Sequence, residues 1–255
     1  MIAAIAPRPG DRFIEIGPGP GVLTSRLASR AGHVTAIEID RDLASALKEN
    51  AGPNVEIVVG DVLKIDLAPL IGAGPVRIAG NLPYNISSPI LFKLLAQHQK
   101  RGQPQFPANK GDGLVVDATV MLQREVVDRI VAKPGTKDYG VLSIFAQAQA
   151  DLVRLLTLPP GAFRPAPKVH SAVVRLTFKR SAIPAELGSV LEPMVRTMFM
   201  QRRKTLLNAL RPFAEPRGCE TAAALAAAGI DPRRRPETLS LAELIALAQT
   251  LSLKP

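Results

Sequence analysis

Residues 11–98 alternate two hydrophobic periods, and no other feature of the chain restricts its fold as strongly. D-R-F-I-E-I-G (11–17) is a short apolar run ending in glycine, followed by V-L-T-S-R-L-A-S-R-A (22–31) with helical spacing. H-V-T-A-I-E-I-D (33–40) and N-V-E-I-V-V-G-D (54–61) repeat the run, with D-L-A-S-A-L-K-E-N (42–50) as the helix between them. V-R-I-A-G-N (76–81) and P-I-L-F-K-L-L-A-Q-H (89–98) form a further strand and helix. Strand–helix alternation of this kind predicts an α/β fold, a parallel sheet covered by helices on both faces. Right-handed crossovers then put ligand-binding residues at the carboxyl ends of the strands. L-V-V-D-A-T-V-M-L-Q (114–123) and S-A-V-V-R-L-T-F-K (171–179) read as two more strands, and the Pro/Gly-rich stretch 102–113 as a surface loop. After residue 181 strand signals stop, and Ala/Leu-rich helical stretches broken at Pro212, Pro216 and Pro232 take over. Two domains are expected, 1–180 as the α/β domain and 181–255 as a small all-helical one.

Charge divides the chain in a similar place. Residues 1–99 carry 9 Lys+Arg against 9 Asp+Glu, whereas residues 100–255 carry 23 against 13 and so hold the entire net charge of +10. A neutral part joined to a basic one fits a small-ligand site beside a polyanion-binding surface, although charge kept for solubility would look the same. No apolar run approaches the roughly 18 residues of a membrane span, and M-I-A-A-I-A-P-R-P-G lacks the plan of a signal peptide. A single cysteine, Cys219, excludes an internal disulfide framework and fits a reducing cytoplasm. The histidines at 33, 98 and 170 have no metal-ligand spacing, so no metal site is expected.

Candidate chemistry gathers at the strand ends. E-I-G-P-G-P-G (15–21) makes the first strand-to-helix turn, with glycines at 17, 19 and 21 that allow a tight turn and a close ligand approach. A turn built only for packing has the same composition. The dinucleotide fingerprint would require glycine at position 22, which is Val22. Glu38 ends the second strand, 21 residues after Gly17, where a carboxylate can accept from ribose hydroxyls; Asp61 ends the third. This set suggests an adenosine ligand without a pyrophosphate cradle, hence S-adenosylmethionine (SAM) rather than NAD.

The fourth strand end reads G-N-L-P-Y-N-I-S-S-P (80–89). Ser88 and Pro89 are suited to cap and open a helix, which leaves Asn81–Tyr84 in the turn above the sheet. An adenine amino group is a weak nucleophile because its lone pair is delocalised into the ring. The Asn81 side-chain oxygen and a backbone carbonyl, that of Leu82, can accept its two hydrogens, and an aromatic ring can stack on an unstacked base. An ordinary Asn-Pro turn, with Tyr84 as a packing residue, is the competing reading.

G-N-L-P-Y-N-I-S-S-P-I together with E-I-G-P-G-P-G closely resembles the KsgA/RsmA family of small-subunit ribosomal RNA adenine dimethyltransferases. M-L-Q-R-E-V-V-D-R-I (121–130), K-D-Y-G-V-L-S (137–143), F-R-P-A-P-K-V-H-S-A-V-V-R-L (163–176) and Q-R-R-K-T-L-L-N-A-L (201–210) look like its further motifs. The resemblance implies a Rossmann-like class I SAM-dependent methyltransferase domain with a helical, RNA-binding C-terminal domain. The activity it implies is transfer of two methyl groups to N6 of each of two adjacent adenosines in the 3′-terminal hairpin of small-subunit rRNA, with a role in ribosome assembly. By position, Glu15, Gly17, Gly19, Glu38, Asp61 and Asn81 would meet SAM, with Glu38 on the ribose and Asp61 near the adenine. Asn81, Leu82 and Tyr84 would hold the target amine, and Phe163 would stack on the flipped base. Arg202, Arg203, Lys204, Arg233, Arg234 and Arg235 would meet phosphates, unless they form only a solvated helix face.

The chain departs from the family pattern at its start, where relatives usually carry a leader resembling S-L-G-Q-N-F-L and only 14 residues precede Glu15 here. It also departs at His170, where relatives often have Asp. Two other functions stay open at this level: a large-subunit rRNA adenine methyltransferase, and a non-catalytic assembly factor that binds the pre-small subunit. The unforced expectation is a cytoplasmic monomer.

Overall fold

The computed structural model describes residues 1–72, 74–101, 115–164 and 166–252. Seven strands form one sheet: β1 (Arg12–Ile16), β2 (His33–Glu38), β3 (Val55–Val59), β4 (Val76–Asn81), β5 (Val115–Gln123), β6 (Ala150–Leu158) and β7 (Ser171–Phe178). Their order across the sheet is β3-β2-β1-β4-β5-β7-β6. Strands β1 to β5 run parallel, and β7 lies antiparallel between β5 and β6. Helices α1 (Ile2–Ile5), α2 (Val22–Ala28), α3 (Arg41–Glu49), α4 (Ala68–Ile71) and α5 (Ser87–Arg101) precede or connect the first five strands. This is the class I methyltransferase arrangement. The order reverses at β1, with β2 on one side and β4 on the other, and such switch points are where open α/β sheets bind ligands.

Sequence explains the central strand directly. Phe13, Ile14 and Ile16 of β1 are all buried, as a strand covered on both faces requires. Ile5 of α1, Phe13, Leu27, Ala31, Val34 and Ala79 pack into one cluster beneath α2; each large side chain contributes roughly 1.5–3 kcal/mol on burial. At the amino ends of the strands, Arg77 meets Asp117 with Nε and Nη2 (3.0 and 2.8 Å to the two oxygens) and Asp11 with Nη1 (2.7 Å). Its guanidinium also donates to the Ile5 and Ala6 carbonyls at the end of α1. That edge of the sheet is thus consumed by structural pairing.

By internal packing the chain divides into two compact units, residues 1–127 with 149–180, and residues 128–148 with 181–255. The sequence boundaries placed 128–148 in the first domain; it packs with the helical unit instead. The reason is local: Tyr139, in that segment, is buried edge-on against Phe199, with ring centroids 6.3 Å apart. Burial, with the negative charge of Glu243, pushes the Tyr139 phenol up to about 12. The second unit contains most of α7 (Val141–Gln149), after α6 (Arg124–Val131), and then α8 (Gly188–Met200), α9 (Leu206–Ala214), α10 (Thr221–Ala227) and α11 (Leu241–Ser252). The helix after the fourth strand begins at Ser87, so Ser88 is not its cap; Ser87 Oγ donates to the Tyr84 carbonyl (3.2 Å) and Pro89 sits in the first turn. The loop expected over 102–113 lies outside the described residues.

Candidate active site

The carboxyl ends of β1 and β4 meet at the glycine turn. Gly17 has φ +68°, and a Cβ built there would face the Asn81 carbonyl at 3.7 Å and Pro83 Cδ at 3.8 Å. Its amide donates to the Ile37 carbonyl (3.1 Å), which ties the turn to β2. At Gly21 a Cβ would stand 2.3 Å from Leu47 Cδ1, so the last glycine serves packing against α3. The turn is therefore packed closely against Leu47 at Gly21 and left without a side chain beside Asn81 and Pro83 at Gly17.

Glu38 is buried, and its carboxylate accepts from three backbone amides: Gly19 at 3.0 Å, Ile39 at 2.9 Å and Asp40 at 3.0 Å. It therefore locks the middle of the glycine turn to the end of β2. Asp61 accepts from the Leu63 amide (2.9 Å) and stands 3.8 Å from Lys64 Nζ, holding the turn after β3.

Glu15 is different. Only 1% exposed, it has one oxygen, Oε2, with no hydrogen-bond partner. Burial pushes its carboxyl up to about 7; the Thr24 hydroxyl lowers it without reaching hydrogen-bond geometry, and the Glu38 charge raises it further.

Two cavities open at this edge. The first, of about 650 Å³, is lined by Glu15, Gly17, Gly19, Arg26, Asn81 and Phe163 among others. A second, of about 340 Å³, is lined by Asn81, Leu82, Pro83, Tyr84, Phe163, Arg164 and Pro167. Asn81, Phe163 and Arg164 line both. Both volumes fall in the range of small-ligand sites, ~300–1,000 Å³. Glu38 and Asp61 line neither cavity; Glu38 stands behind the glycine turn that lines the first, whereas the turn that Asp61 holds lines neither.

The second cavity has a fixed polar wall. Leu82 is buried and its amide donates to the Met121 carbonyl (3.1 Å), while no described residue donates to its own carbonyl. Asn81 is exposed, and its side chain has no partner among the described residues. The Tyr84 hydroxyl is 2.7 Å from Ser171 Oγ at the start of β7, which fixes the ring. Phe163 is half-buried and follows the short 3-10 turn Pro160–Ala162, its amide donating to Pro160 (3.2 Å). The sequence did not single out Arg164 or Ser171. The former stands inside the quoted F-R-P-A-P-K stretch, but nothing in a string of residues says which of them face a cavity.

In the helical unit the two basic clusters lie side by side. The Leu206 amide donates to Arg234 (2.7 Å) and the Leu207 amide to Pro232 (3.1 Å), so the turn after α8 is joined to the segment before α11. Their six cations are not equivalent. Arg234 is held by Glu243 and the Thr238 carbonyl, and Glu243 is drawn down to about 2 chiefly by that guanidinium. Arg202 donates to the Lys137 carbonyl (2.8 Å) and lies over the Phe199 ring, and Arg233 pairs with Asp231 (3.1 Å). Arg203, Lys204 and Arg235 are exposed, with no side-chain partner among the described residues.

Among the described residues no group of His, Cys, Asp and Glu could hold a metal ion, and no helix is long and apolar enough to cross a membrane.

Residues 1–251 match the model of the ribosomal RNA adenine dimethylase family. A protein named ribosomal RNA small subunit methyltransferase A from Aromatoleum aromaticum is 44% identical over all of this chain and 88% of its own. Its namesake from Xanthomonas campestris is 44% identical over 97% of this chain and 88% of its own. Among solved structures, a dimethyladenosine transferase from Plasmodium falciparum superposes with a TM-score of 0.72 at 25% identity, covering 96% of this chain and 91% of its own. The 23S rRNA methyltransferase ErmE superposes at 0.67 and 27% identity over 98% and 95%. With a family match over residues 1–251, relatives 44% identical over nearly all of the chain and the class I sheet, the chain belongs to the ribosomal RNA adenine dimethylase family.

Proposed function

We propose that the chain dimethylates N6 of two adjacent adenosines in the 3′-terminal hairpin of small-subunit rRNA, using SAM and no metal. The observation that supports this most is the pair of cavities with a common wall of Asn81 and Phe163, since methyl transfer between two ligands needs adjoining compartments. The first cavity suits an S-adenosyl ligand. Gly17 presents no side chain to it, and Glu15 Oε2 is an acceptor that lacks a donor. Glu15, Gly17, Gly19 and Asn81 would hold that ligand, with Glu38 fixing the glycine turn; Asp61, at the end of β3, would meet the adenine end of the ligand where it extends beyond the cavity. When bound, SAM supplies a methyl group activated by its sulfonium.

In the second cavity Asn81 and the Leu82 carbonyl accept the two N6 hydrogens and favour a pyramidal nitrogen. Tyr84 and Phe163 hold the base in plane by stacking. Catalysis is then positioning plus polarisation of the amine. Arg203, Lys204 and Arg235, with Arg202, Arg233 and Arg234 as the frame that supports them, would meet rRNA phosphates, giving affinity rather than sequence choice. The substrate is the assembling small subunit, the setting the cytoplasm, and the working form a monomer.

Labelled methyl transfer from SAM to unmethylated small subunits tests this reading, with Asn81→Ala alongside. The expected result is two methyl groups per adenosine in the wild type and a loss of roughly a hundredfold or more in kcat for the variant. Transfer to isolated large-subunit rRNA but not to small subunits would overturn the substrate.

A further inference from the structure

We propose that Arg164 anchors the phosphodiester of the target nucleotide at the junction of the two cavities; this rests on the reading of the second cavity as the site of a flipped adenosine. Of the described residues that line that cavity, Arg164 alone is charged, and it also lines the first. Its side chain is exposed and has no acceptor among the described residues. Arg77 and Arg234 are committed to carboxylates, whereas Arg164 and Arg26 are not; of those two, only Arg164 lines the second cavity. The connection that carries it, residues 159–170, contains Arg164 and Lys168 and no Asp or Glu. A carboxylate competitor is therefore absent from its own segment.

The chemistry of the ligand points the same way. A base seated against Asn81 and Phe163 remains covalently tied to its sugar and to two phosphates, whose charge keeps them in water outside the pocket. They must stay at the mouth, beside whichever cation lines it. Arg164 is the residue next to Phe163 in the chain, so stacking on the base and gripping its phosphate would be set by one short backbone segment. The sequence of that segment has prolines at 159, 160, 165 and 167, which restrict it. A guanidinium offers a planar two-pronged donor to phosphate, which a lysine at the same place would not.

The experiment compares wild type, R164A and R164K by binding to unmethylated small subunits across a salt series, and by calorimetric binding of SAM alone. R164A is expected to bind subunits roughly ten- to a hundredfold more weakly at moderate salt. The slope of log affinity against log salt should fall in magnitude by about 0.7 to 0.9, the share of one phosphate. SAM affinity should be unchanged, and R164K should restore the slope but only part of the affinity. R164A with wild-type subunit affinity and slope would overturn the proposal. So would a loss confined to SAM binding, which would place Arg164 on the cosubstrate carboxylate. Wild-type protein that binds SAM yet neither binds nor methylates small subunits would overturn the functional reading first, and this proposal with it.

Discussion

Replacing Glu15 with Gln should stabilise the ligand-free protein at alkaline pH and not at acid pH. The folded protein holds the Glu15 carboxyl at about 7 against an ordinary 4.5, mainly through burial. Because the folded state keeps the proton longer than the unfolded chain does, stability is intact below pH 4.5. It then declines as pH rises towards 7, and the whole penalty is present above it. The gap of about 2.5 pH units corresponds to a ceiling of ~3 kcal/mol at about 1.4 kcal/mol per unit. Glutamine keeps the shape and removes the charge, at a cost of about 1 kcal/mol for an amide that is imperfectly paired. The net gain at pH 8 is then about 2 kcal/mol, or roughly 4–8 °C in Tm for a unit of this size. At pH 5 the charge penalty has fallen to under about 1 kcal/mol, which the cost of the amide offsets, and E15Q should melt at or slightly below the wild-type temperature. Thermal melts of both proteins from pH 5 to 8.5, followed by circular dichroism without SAM, measure the difference directly. A difference in Tm that does not change with pH would refute the reasoning, because it would mean that Glu15 does not titrate in this range.

Gly80→Ala should cost about 3 kcal/mol or more in urea denaturation, since its Cβ would stand 2.5 Å from the Ile16 carbonyl of the adjacent strand and backbone cannot yield cheaply. A loss under 1 kcal/mol would show that β1 and β4 can separate there. In the basic patch, Arg203, Lys204 and Arg235 replaced together by Ala should lower the salt slope of RNA binding by about 2 to 3 with little change in Tm. Arg234→Ala alone should do the reverse, lowering Tm by leaving Glu243 without its partner while changing the slope little. Equal slopes for the triple variant and wild type would remove those cations from the interface.

Strands β1 to β5 and β7 were legible because buried parallel strands and the alternating β7 have periods that survive in one dimension. β6 was not: its sequence, A-D-L-V-R-L-L-T-L, has no regular alternation, and Val153 and Leu156 remain exposed on this edge strand. The grouping of 128–148 with the helical unit was invisible because it depends on Tyr139 finding Phe199, sixty residues away. At the site, the Gly-rich and Asn-Leu-Pro-Tyr turns could be read since their chemistry is contiguous. The burial of Glu15 could not, because it takes several elements packed together to exclude water from a single side chain. Nor could sequence separate Arg234, committed to Glu243, from Arg203 and Arg235, which have no such commitment. Adjacent letters can belong to a frame and to a free surface.

The place of β7 in the sheet also fixes when the site comes into being. Phe163 and Arg164 hang between β6 and β7, and β7 must slot between β5 and β6 before that connection can reach Asn81. A chain emerging from the ribosome can lay down β1 to β5, complete with its glycine turn, while half of the second cavity is still unsynthesised. Insertion of the one antiparallel strand, sealed at its first residue by Ser171 against Tyr84, is the event that finishes the enclosure. Until residue 178 has been made, the second cavity has its Asn81–Tyr84 wall and lacks the wall that Phe163 and Arg164 supply.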